Sequence, residues 1–151
     1  MTEGWLPVET SMLELEMPAT WERFPSDDDR VIAIAKPIER YTVFRANVVI
    51  VVRDSTETVE QLGARSVAEA LALPGWSHVC SDLAWTRPDF TGRVVHFLYA
   101  GEGTCVAVAR SAIATGTHVL EITASCNVVD VLEFEDLFTV IASGTRLKEM
   151  A

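Results

Sequence analysis

The chain has 151 residues, 49% hydrophobic and 23% charged, which is the composition of a globular protein rather than a disordered one and a length suited to one domain spanning residues 1–151. Twenty-two Asp and Glu against twelve Lys and Arg give a formal charge of −10, so phosphate backbones and anionic headgroups are repelled and nucleic acid is not an expected partner. No apolar run reaches the roughly 18–20 residues that span a bilayer, and the opening Met1–Pro7 lacks the basic and apolar regions of a signal peptide, so the expected compartment is the cytoplasm, with no membrane partner.

In chain order, Ser11–Met17 sets Leu13, Leu15 and Met17 against Glu14 and Glu16, the period-two pattern of a half-buried strand that Pro18 ends. Trp21–Arg30, with Pro25 and the acids Asp27–Asp29, reads as a solvated loop before a second strand at Val31–Ala35. Asn47–Arg53 is β-branched at nearly every position, so it is expected in mid-sheet with both faces covered. Ser55 or Thr56 can cap a helix through Leu62; Gly63 is expected to break it, and Ser66 to cap a second stretch ending before Pro74. Four runs follow, Trp76–Trp85, Arg93–Tyr99, Thr104–Ala114 and Thr117–Asn127, separated by short turns, which predicts an antiparallel meander. A last helix over Val128–Ala142 carries Val131, Phe134, Phe138 and Ile141 on one stripe and ends near Gly144. The fold class is therefore α+β: an antiparallel meander, a broken crossover helix and a C-terminal helix.

Turn length fixes register. A two-residue loop Thr115-Gly116 sets Ala114 opposite Thr117, Arg110 opposite Glu121 as a cross-strand ion pair, and Cys105 opposite Cys126; a Trp85-to-Arg93 register sets Asp82 opposite His96. One face then carries small side chains such as Ala107, Ala109 and Ala124, suited to the C-terminal helix. The other carries Val79, Leu83, Trp85, Val95, Phe97, Tyr99 and Arg110, a mixed aromatic and polar surface expected to meet a partner unless Trp5, Leu6 and Val8 fold over it.

His78, Cys80 and Asp82 alternate on one strand, with His96 predicted on the same face, and these are the donor types of a zinc site or a Cys-His nucleophile. Residues along a strand are spaced too widely for more than one or two to reach a common point, so neither a metal site nor a catalytic residue is expected. The three cysteines are odd in number and widely spaced, which predicts free thiols. No cofactor motif is present.

The succession of LELEMPATWE, FRANVVIVV, a broken helix, GRVVHFLY and a closing helix, over Met12–Leu147, resembles the PsbP-like superfamily. That superfamily takes in the Mog-type Ran-binding proteins, PsbP, DcrB-like proteins, the Eag chaperones and LpqN-type lipoproteins. The resemblance implies a non-catalytic α/β/α sandwich that binds other proteins, here a cytoplasmic adaptor or chaperone, and it does not name the partner. The sheet face around Trp85, Phe97 and Tyr99 is expected to hold a partner protein or its apolar segment, and the acidic surface favours a basic partner. Two alternatives stand beside it: a small metal- or thiol-dependent enzyme using His78, Cys80, Asp82 and His96, and a self-associating subunit forming a homodimer.

Overall fold

The computed structural model describes residues 4–148. Its strands are β1 (Trp5–Glu9), β2 (Leu13–Pro18), β3 (Glu22–Phe24), β4 (Val31–Ala35), β5 (Asn47–Asp54), β6 (Ser77–Thr86), β7 (Thr91–Gly101), β8 (Thr104–Ala114), β9 (His118–Asn127) and β10 (Arg146–Leu147), and its helices are α1 (Val59–Leu71) and α2 (Val131–Gly144). Seven strands form one antiparallel sheet in the order β3-β4-β5-β9-β8-β7-β6, and β1-β2-β10 form a second. This is the expected α+β architecture.

The patterned segments fold as their periodicities require. In β2 the three apolar side chains are buried and both glutamates are exposed. They pack with Val48, Ile50 and Val52 of β5, Leu120 and Ile122 of β9, and Phe134, Phe138 and Ile141 of α2 in the main core. Alternate β5 residues Val49 and Val51 on the other face are only half-buried, because α1 packs on β6, β7 and β8 and leaves that part of the sheet without a helix. The strand is central, as its composition indicated, but covered fully on one side only.

Four local features depart from the sequence reading. The segment Trp21–Arg30 contains a short edge strand, β3, paired with β4. The N-terminal segment forms β1 against β2, burying Val8 in the main core on the α2 side and not over the aromatic face. α1 starts from Thr58, whose hydroxyl accepts the Gln61 N–H while the Gln61 side chain accepts the Thr58 N–H, a reciprocal cap. It then runs unbroken through Gly63. Glycine costs a helix only about 1 kcal/mol, and here it admits a close neighbour: a Cβ on Gly63 would lie 3.2 Å from Asp82 Oδ1 and 3.4 Å from Arg93 Nε.

The hairpin registers also differ. The Thr115 N–H donates to the His118 carbonyl, which makes Gly116 and Thr117 the central pair, with Gly116 at φ +94°, the position where a primed turn places glycine first. The expected loop began one residue earlier, so Ala114 pairs with Val119, Arg110 with Thr123 and Cys126 with Ala107, while Cys105 pairs with Ala100. Cys105 and Cys126 are not opposite one another, and all three cysteines are free. Arg110 binds Glu69 of α1 at 2.7 Å instead of Glu121. Glu121 receives Arg53 and Arg65.

Candidate functional site: a groove between α2 and the sheet

A helix is about 10 Å across and strands are about 4.8 Å apart, so one helix shields little more than two strands. α2 packs on β8 and β9, and β2 packs against α2 and β4, which leaves β6 and β7 uncovered on that side of the sheet. The result is a groove of about 370 Å³. Its floor is built from the small side chains Ala107, Ala109 and Ala124 with Val94 and His96; one wall is α2, and the other is Leu83 with Trp85 from β6. Leu83 is 59% exposed.

A bulge puts Leu83 and Trp85 there. On β6, Val79 pairs with Phe97, but Ser81 pairs with His96, so Cys80 is the extra residue. An extra residue turns every later side chain to the opposite face. Leu83 and Trp85, expected beside Phe97, therefore sit on the α2 side, and Asp82 sits on the α1 side, where it accepts from Arg93 Nε at 3.0 Å. His96 meets the Ser81 hydroxyl at 3.1 Å and His78 stacks on Trp76 with ring centroids 6.4 Å apart. The quartet His78, Cys80, Asp82 and His96 is thus split between two faces. Among the described residues, no group of three or more His, Cys, Asp or Glu side chains is placed to hold a metal ion.

The remaining residues of the expected partner surface lie elsewhere. Val95 and Phe97 are 1% and 3% exposed, packed with Ala70 of α1 and with half-buried Val79 and Tyr99. The aromatic face is therefore not open, and its cover is α1 rather than the N-terminal segment. Arg110 lies over the Phe97 ring at 5.6 Å while paired with Glu69, which fixes α1 to this face.

The groove has an asymmetric polarity. Glu135 and Asp136 of α2 supply carboxylates at its edge, and among the described residues the only basic side chain in its lining is His96. Cys126 lies at the floor and is 3% exposed; burial, with Asp130 and Glu133 adding to it, pushes its thiol up to about 11. It is protonated at neutral pH and is not poised as a nucleophile. The arrangement offers apolar contact, a hydrogen-bonding imidazole and attraction for positive charge.

Comparison with solved structures identifies the architecture. LpqN, involved in cell envelope biogenesis of Mycobacterium tuberculosis, superposes with a TM-score of 0.69 at 19% identity over 96% of this chain and 91% of its own. Cyanobacterial PsbP from Synechocystis sp. PCC 6803 gives 0.68 at 12% identity over 98% and 95%. The fold is the PsbP-like, Mog-type fold. The Saccharomyces cerevisiae Ran-binding protein Mog1p shares it with a TM-score of 0.58 at 9% identity over 97% and 96%. No family model and no curated protein matches the sequence. At these identities the likeness establishes the PsbP-like fold alone. Among the described residues, no helix is long and apolar enough to cross a membrane.

Sequence reasoning located the small-residue face but expected α2 to seal it. The signal for an opening was arithmetic: one helix, about 10 Å across, shields little more than two strands of a multi-stranded meander.

Proposed function

We propose that this chain is a single-domain, non-catalytic protein-binding module whose groove receives an apolar segment of a partner polypeptide carrying basic residues. The observation that carries the reading is the combination of an open apolar floor, Ala107, Ala109 and Val94, with Glu135 and Asp136 above it and, among the described residues, no Lys or Arg in the lining. Apolar side chains entering the groove leave water, and the carboxylates select a positively charged flank over a negative one. Of the sheet residues expected to meet a partner, Leu83 and Trp85 are the two that the proposal retains. The Ran-binding activity of Mog1p supports protein binding as a use of this fold. The chain's own charge of −10 supports a basic partner through long-range steering.

The test uses two labelled synthetic peptides with the same apolar centre, one flanked by lysines and one by glutamates, titrated by fluorescence anisotropy. The lysine peptide is expected to bind at least tenfold more tightly, Ala109→Phe to abolish its binding by filling the groove, and Glu135→Lys with Asp136→Lys to reverse the preference. Equal binding of both peptides, or binding unchanged in Ala109→Phe, refutes the proposal. Light scattering across a dilution series detects the competing self-association.

A further inference from the structure

A second cavity, of about 380 Å³, lies apart from the groove, between the β8–β9 turn, the segment preceding β7, and β10. Its floor is apolar: Ile113 and Leu120 are 1% and 2% exposed, with Phe90 and Leu147 beside them. Among the described residues, its rim carries Arg146, Lys148 and His118 against one acid, Asp89. In a chain with 22 acids and 12 Lys and Arg, such a grouping runs against the composition. The hydroxyls of Thr115 and Thr117 complete the lining.

The basic groups are held in place without being neutralised by buried partners. Lys148 Nζ meets Glu9 at 3.0 Å and His118 Nε2 meets Asp54 at 3.1 Å, and these carboxylate side chains are 66% and 70% exposed. Arg146 reaches Asp89 at a loose 3.7 Å. Exposed pairs of this kind contribute little, so they compete weakly with an incoming anion. Asp89 is also shared, because Arg87 approaches it at 3.5 Å. One carboxylate therefore serves two guanidiniums, so within the trio Arg87, Arg146 and Asp89 one positive charge is uncompensated. The interior position of Arg87 agrees with this: burial, opposed by Asp89 and reinforced by Arg146, holds its guanidinium below the usual arginine range.

We propose that this cavity binds a small organic monoanion, a carboxylate on an apolar body, with the anionic group between Arg146, Lys148 and the threonine hydroxyls and the body against half-buried Phe90 and Leu147, above Ile113 and Leu120. An apolar floor beneath a cationic rim fits an amphipathic ligand better than a bare inorganic anion, which would leave the floor dry and unused. The volume falls within the range of small-molecule sites. The overall negative charge disfavours polyanions and leaves a monoanion as the suited class.

The experiment is a titration of the full chain with octanoate, using octanol as the neutral counterpart and inorganic phosphate as the anion without a body, followed by amide chemical shifts. Octanoate is expected to perturb Thr115, Thr117, His118 and Leu147 saturably, octanol and phosphate to bind at least tenfold more weakly, and Arg146→Gln with Lys148→Gln to weaken octanoate at least tenfold. Both substitutions are on the rim, and the spectrum itself reports whether the fold persists; Lys148→Gln alone serves if the double variant is unfolded, with a threefold loss expected. Groove-filled Ala109→Phe is expected to bind octanoate like the parent, which separates this cavity from the groove. Equal binding of octanol, equal binding of phosphate, shifts confined to the groove, or undiminished octanoate binding in the glutamine variants each overturns the proposal.

Discussion

Replacing Gly92 by alanine tests the packing that shapes the groove. Gly92 is buried, second in β7, and paired with Trp85 on one side and Ile113 on the other. A Cβ there would lie 2.3 Å from the Ala112 carbonyl oxygen and 3.1 Å from Trp85 Cε3, where real Cβ atoms essentially never come within 3.0 Å of a neighbour. The obstacle at 2.3 Å is backbone, so relief requires the β7–β8 ladder to open. Overpacking costs about 1–3 kcal/mol and a weakened ladder hydrogen bond about 1 kcal/mol more, for an expected loss of about 2–4 kcal/mol. In a chain of this length that corresponds to a fall in Tm of roughly 5–15 °C, measured by circular dichroism and checked by urea denaturation at constant slope. The matched control is Gly144→Ala. Gly144 is the last residue of α2, does not have a positive φ, and has nothing within 4 Å of a built Cβ, so alanine is expected to be neutral or to stabilise by up to about 1 kcal/mol. Because the Trp85 ring faces both Gly92 and the groove, Gly92→Ala is also expected to shift the tryptophan emission and weaken the lysine peptide while the protein is still folded. A Gly92→Ala midpoint within 0.5 kcal/mol of the parent, or the same sign for both substitutions, would refute the reasoning.

Three further outcomes follow from the ionisable groups. Cys126 holds its proton up to about pH 11 in the folded state while the unfolded thiol releases it nearer 9, so this stabilisation is complete below about pH 9 and lost between 9 and 11, at up to about 2 kcal/mol; urea midpoints against pH should flatten over that window in Cys126→Ala. Glu121, with a side chain 19% exposed, receives both Arg53 and Arg65, so Glu121→Ala leaves the two guanidiniums sharing Glu57, with only a long 3.9 Å contact from Arg65 to Glu69 besides, and is expected to cost about 1–2 kcal/mol by urea denaturation, with Glu121→Gln recovering part of it. Arg87 sits 4.4 Å from the Phe90 ring centroid and 5.4 Å from that of Trp85, donating Nη1 to the Thr145 carbonyl just after α2 at 3.0 Å; Arg87→Lys loses the planar stacking and is expected to lower stability by about 1–2 kcal/mol in thermal melts.

Much of this fold is written in periodicities that survive small errors. The alternation of Leu13–Met17, the β-branched run of β5 and the Phe134, Phe138 and Ile141 stripe each report burial directly, and each was legible from the residues. Misplacing the turn at Gly116 displaced the β8–β9 pairing by two positions, yet an even displacement keeps every side chain on its own face, so the small-residue face of Ala107, Ala109 and Ala124 was read correctly. Gly63 was misread because its composition signals a break, whereas its reason lies across space, in the Asp82 carboxylate and Arg93 guanidinium packed against α1.

The bulge at Cys80 is a different kind of error, and it decides where the candidate site lies. Neither glycine nor proline marks Val79–Ser81, so no local composition announces the extra residue, and a count that is off by one inverts everything beyond it. Asp82 passes from the expected donor cluster to a pair with Arg93 beneath α1, which dissolves the basis of the metal or thiol reading. Leu83 and Trp85 pass the other way, from a face that α1 seals to one that α2 is too narrow to close. Had β6 continued in register, those two side chains would have joined Phe97 in the buried layer, and the open groove would have been walled by Asp82, a carboxylate ill suited to an apolar segment. The chemistry proposed for the groove therefore follows from one unpaired residue in an edge strand, acting through the two-residue repeat of the pleat.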